Sequence, residues 1–93
     1  MKKYNISMIV YQDYYGKDIK LKVQEIELRD NTEDSSGYCD ICLEEIKEFT
    51  LVEGDSRTFF FETDRGVHLS GEGKVQYDGK NGYCIVLKMI KLV

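Results

Sequence analysis

The chain has no proline, no tryptophan, one histidine and three cysteines in 93 residues. Without proline, turns have to be read from glycine, asparagine, aspartate and serine. The single histidine, His68, leaves acid–base chemistry near neutral pH to one ring or to a strongly perturbed carboxylate. Ser56, Ser70 and Cys84 could act as nucleophiles, but no spacing ties any of them to His68, and no GxSxG is present. An odd number of cysteines does not complete a secreted disulfide framework and fits a reducing compartment. No apolar run approaches the roughly 20 residues of a membrane-spanning helix. Lys2 and Lys3, followed by an interrupted apolar stretch from Ile6 to Tyr11, make too short a segment for a secretory signal. A soluble, cytoplasmic, non-enzymatic protein is expected, with no cofactor and no membrane partner.

What is present is a folding composition. Hydrophobic residues make up 42% of the chain, and seven tyrosines and four phenylalanines can fill a sheet-sized interior. The length suits one core, so residues 1–93 are expected to form a single compact domain. There are no internal repeats.

The pattern is that of strands. Tyr4, Ile6, Met8 and Val10 alternate with polar Asn5 and Ser7, the period of two of a half-buried strand. Asp13 to Gly16 reads as a hairpin loop. Ile19, Leu21 and Val23 alternate with lysines, and the apolar phase then moves to Ile26 and Leu28, which predicts a β-bulge near Gln24. Residues 30–37 (DNTEDSSG) read as a mobile acidic loop. Residues 38–49 fit either a strand or one short helix. Further strands are expected over Phe49–Val52 and Arg57–Thr63, around a four-residue hairpin loop. Another runs from Val67 to Tyr77, bent or bulged at Gly71 and Gly73. After a loop at Asp78–Gly82, the almost uninterrupted apolar run Tyr83–Val93 should occupy the centre of the sheet. The predicted fold is a single antiparallel sheet of five to seven strands, curled or barrel-like, with α+β as the alternative.

Charge is unevenly distributed. The net charge is −4. Residues 1–24 carry five lysines against Asp13 and Asp18, a net of +3, and residues 65–93 are also at +3. Residues 25–64 hold thirteen carboxylates against Arg29, Lys47 and Arg57, a net of −10. If this middle third folds onto one side, that side suits a basic protein surface and disfavours direct nucleic-acid binding.

Four patterns could carry chemistry. Cys39-Asp40-Ile41-Cys42 is a CxxC, and Cys84 and His68 would complete a four-ligand zinc site, but no second knuckle supports it and the simpler reading is small buried apolar side chains. Gly71-Glu72-Gly73-Lys74 lacks the remainder of a phosphate-binding loop and precedes a strand. Phe59-Phe60-Phe61 puts rings on both faces of a strand, which is then either covered twice or exposes an anchor. Tyr14 and Tyr15 form an aromatic loop tip.

These features give three functional expectations. The first is a non-catalytic binding protein that inhibits a larger protein, such as a nucleic-acid-binding enzyme, through Glu44, Glu45, Glu48, Tyr14, Tyr15 and Phe60. In size and charge alone the chain resembles phage-encoded anti-defence inhibitors, anti-CRISPR proteins among them, and toxin-immunity proteins. The second is an accessory subunit whose edge strands extend a partner's sheet. The third is a small-ligand binder or an enzyme with a site across an interface. A homodimer is compatible with each.

Overall fold

The computed structural model describes residues 1–41, 48–78 and 82–93. Six antiparallel strands, β1 (Lys2–Gln12), β2 (Asp18–Asn31), β3 (Ser36–Ile41), β4 (Ser56–Thr63), β5 (His68–Asp78) and β6 (Gly82–Leu92), close into a barrel in the order β1-β2-β3-β6-β5-β4. A barrel this narrow is filled by its own side chains. Ile9, Leu28, Cys39, Phe59, Val75, Ile85 and Leu87 are all fully buried inside it. Among the described residues there is no helix, and none that could cross a membrane.

The expected bulge near Gln24 is present. Ile6 pairs with Ile26 and Met8 with Lys22, so β2 carries the extra residues, and Glu25 adopts φ 59° there. β1 carries an extra residue of its own against β4, pairing Ile6 with Thr63 but Met8 with Glu62, and this changes its inward face. Tyr4 and Ile6 point inward as expected, but from the slip onward Ile9 and Tyr11 take the interior, and Met8 and Val10 become half-buried on the outside. A second slip lies on β6. Lys88 pairs with Glu72 and Lys91 with Ser70, and Met89, with φ 54°, is the extra residue.

The bulge on this ladder is therefore not on the glycine-bearing strand. Gly71 and Gly73 face inward and leave room for neighbouring side chains. A Cβ on Gly73 would lie 2.5 Å from Ile85 Cγ2 and 2.6 Å from Phe59 Cδ2.

Three further expectations change. The loop placed at 30–37 shortens to residues 32–35, because β2 runs to Asn31 and β3 starts at Ser36. Asn31 and Asp34 close this turn: the Asp34 N–H donates to the Asn31 carbonyl and the Ser36 N–H to Asp34 Oδ1. Residues 38–41 are strand, while 42–47 lie outside the described residues. Phe49–Val52 is not a strand. Its alternation is real, with Phe49 and Leu51 buried and Thr50 and Val52 exposed, but the segment crosses the mouth of the barrel and pairs with no strand among the described residues. Phe49 packs edge-on against Tyr11, ring centroids 5.5 Å apart, and the Thr50 N–H donates to the Tyr11 hydroxyl.

The terminal strand β6 lies between β3 and β5. In a closed barrel every strand has two neighbours, so its apolar character reflects length and burial at Ile85, Leu87 and Ile90 rather than a privileged central place.

Candidate functional site

Ring order decides how charge is displayed. In a six-strand ring ordered β1-β2-β3-β6-β5-β4, β3 and β4 stand diametrically opposite each other. The acidic stretch 25–64 therefore does not fold onto one side. Its described residues run along β2 and β3, cross the barrel mouth over 48–55 and return on the opposite wall. Its carboxylates divide: Asp30, Glu33 and Asp34 sit at the end that holds the β2–β3 turn, while Glu48, Glu53 and Asp55 sit at the crossed mouth together with Asp13 and Asp18 of the first hairpin. Lys20, Lys22, Lys74 and Lys88 are exposed along the walls.

The crossed mouth gathers most of the described candidate residues. Tyr14 and Tyr15 are at the tip of the β1–β2 turn, 56% and 93% exposed, held there because Asp13 Oδ1 accepts the N–H groups of Tyr15 and Lys17. The Tyr14 hydroxyl donates to Asp55 Oδ2, and the same oxygen accepts the Val52 N–H at 2.8 Å. The hydrogen bond from Tyr14 holds the Asp55 carboxyl below the ordinary carboxylate range, helped by the Val52 N–H, and the reciprocal effect of Asp55 raises the Tyr14 phenol. Arg57 stacks over the Tyr14 ring at 5.3 Å and donates from Nε to the Gln12 carbonyl at 2.9 Å. Glu48 is exposed in the crossing segment. Glu44 and Glu45 lie outside the described residues.

Phe60 settles the phenylalanine triplet. Phe59 and Phe61 are interior, 0% and 2% exposed, whereas Phe60 stands outside at 45%, with no second layer over it among the described residues. It is paired in register with Val10, so the phase slip in β1 creates a small outer apolar patch that the sequence alternation hides. Beside it a cleft of about 550 Å³ opens between β1 and β4, lined by Val10, Gln12, Asp18, Arg57, Thr58 and Phe60. A shallower groove of about 600 Å³ on the wall of β4, β5 and β6 holds Lys74 and Lys88, but Glu72 lies between Thr58 and Lys88 and offsets their charge.

The metal candidates are not brought together. Cys39 faces the core, and its burial pushes the thiol pKa up, away from the thiolate that metal binding needs. Cys84 pairs with Asp40, one position along from the Cys39–Ile85 pair, and so belongs to the opposite face of the ladder. His68 opens β5, whereas Cys84 pairs with Gln76, eight residues further along it, roughly 26 Å at strand rise. Cys42 lies outside the described residues. Among the described residues no three His, Cys, Asp or Glu side chains cluster as metal ligands.

No protein family, no curated protein and no solved structure matches this chain.

Proposed function

We infer that this protein is a non-catalytic binding protein that engages a basic surface of a larger protein, and inhibits it, through the crossed mouth of the barrel. The observation that carries the reading is the coincidence at one end of exposed Tyr14 and Tyr15, the Phe60 patch, and the carboxylates Asp18, Glu48, Glu53 and Asp55. Exposed aromatics supply contact area at low entropic cost, and surrounding carboxylates steer a cationic partner and select against anionic ones. The same charge disfavours nucleic acid as a direct ligand, whereas the basic groove of a nucleic-acid-binding enzyme would fit. An anti-defence inhibitor or an immunity protein acts in this way without catalytic groups of its own. A cytoplasmic setting suits such a role.

The alternative, an accessory subunit that extends a partner's sheet from a free edge strand, is weakened by barrel closure, which gives every strand a neighbour on both sides.

Affinity capture of the tagged protein from its native cell type, with mass spectrometry of what is retained, tests the reading. Charge reversal at Glu44, Glu45 and Glu48 should weaken binding to the captured partner and flatten its salt dependence, and reversal at Lys88 and Lys91 should not. Equal binding by the triple variant at low and high salt would remove Glu44, Glu45 and Glu48 from the interface and make Tyr14, Tyr15 and Phe60 the better candidates.

A further inference from the structure

Among the described residues the seam between β1 and β4 is paired over only part of its length. The β1–β4 pairing runs from Ile6 with Thr63 to Val10 with Phe60 and stops there among the described residues. Yet β1 continues to Gln12, still paired with β2, and β4 begins four residues earlier at Ser56, still paired with β5. The two strands thus diverge toward the crossed mouth. Between them, Tyr11–Gln12 on one side and Ser56–Phe59 on the other present edges with no strand across the seam among the described residues. The cleft of about 550 Å³ fills this gap. Arg57 spans it: its Nε–H reaches the Gln12 carbonyl at 2.9 Å, and its Nη1 donates to its neighbour's carbonyl at Ser56. A side-chain donor thus satisfies the Gln12 carbonyl, which an incoming strand would take over by displacing the guanidinium.

We propose that the open seam is a strand-docking slot, and that its occupant is an extended, basic segment of the partner protein. This deepens the reading given above and rests on it. Three features point to the occupant. Backbone edges reward an extended chain, which satisfies main-chain donors and acceptors whatever its sequence. Val10 and Phe60 give alternate side chains of such a chain an apolar floor. Charges at this end include Asp13, Asp18, Asp40, Glu48, Glu53, Asp55 and Asp78 against Lys17, Arg57 and Lys74, so the remaining side chains of the occupant meet a net negative rim.

The test uses the full chain and a synthetic peptide of alternating valine and lysine, beside a twin N-methylated at every second residue and a valine–glutamate control. Amide NMR should show the lysine peptide shifting the resonances of Tyr11, Gln12, Thr58 and Phe59 and slowing their hydrogen exchange. N-methylation, which removes donors, should weaken binding about tenfold or more, and the glutamate peptide should bind more weakly still. Phe60→Ser, a change at an exposed position, should weaken the lysine peptide to a similar degree. If the lysine peptide does not bind, if its shifts fall at Tyr15 and Glu53 instead of the seam, or if the N-methylated twin binds equally, the slot is refuted. In each of those cases the broader reading survives provided the captured partner still shows salt-dependent, glutamate-dependent binding. If that binding fails while the peptide occupies the seam, the acidic-surface reading falls and the slot stands.

Discussion

Gly73 and Phe59 occupy one volume inside the barrel: the space where a Cβ of residue 73 would lie, 2.6 Å from Cδ2 of the ring, belongs to the phenylalanine. The glycine is thus required by an interior ring of β4 and not by any turn. Gly73→Ala should destabilise the fold by about 1–3 kcal/mol through overpacking, even though alanine restricts the unfolded chain more than glycine. Adding Phe59→Leu to the alanine variant should recover part of the loss in a urea titration. Costs that simply add would show that the two sites do not share the volume.

Leu87 is fully buried on β6, and its Cδ2 would lie 3.3 Å from a Cβ at position 71, so the leucine fills the space that Gly71 leaves open. Leu87→Ala should cost about 2–5 kcal/mol, a large part of the 5–15 kcal/mol typical of a domain. A change under about 1 kcal/mol in urea would mean that the terminal strand contributes little to the core.

The Tyr14–Asp55 pair should be intact over a broad pH window. Asp55 is depressed, so its contribution is present above the ordinary carboxylate pKa of about 4 and is lost as pH falls through its lower folded value. Tyr14 is raised, so its contribution is present below the ordinary phenol pKa of about 10 and is lost as pH rises through its higher folded value. Tyr14 is exposed and Asp55 only half-buried, so the global stability change should be small. NMR titration of the Tyr14 ring should show transitions at both limits. Asp55→Asn should remove the acidic one, and survival of that transition would mean another carboxylate causes it.

Metal should not be needed for folding, because Cys39 and Cys84 belong to opposite faces of one ladder and His68 lies at the far end of β5. Purified protein should melt at the same temperature with and without a strong chelator. One zinc per chain, together with unfolding by chelator, would contradict this.

Much of the barrel can be read from local pattern. The alternations in β2 and β4, the loop at Asp13–Gly16 and the phase change at Gln24 follow from the period-two geometry of a pleated strand and the chemistry of short turns. Phe49–Val52 shows where that logic stops: alternation records which side chains are buried, not whether the backbone finds a neighbour. The outward turn of Met8 and Val10 was illegible for a related reason. β1 takes one extra residue against β4 between Ile6 and Met8, and the hydrophobicity of β1 alone does not reveal it.

The sequence by itself determined that this is a small antiparallel β protein with an acidic middle, an aromatic loop tip and three adjacent phenylalanines, because composition and alternation are properties of neighbours along the chain. Only the tertiary structure decided that the acidic stretch divides between two ends, that Phe60 is the exposed ring, that the cysteines and His68 stay apart, and that the β1–β4 seam opens beside Arg57. Those outcomes depend on ring order and register, which are set by pairings between residues tens of positions apart.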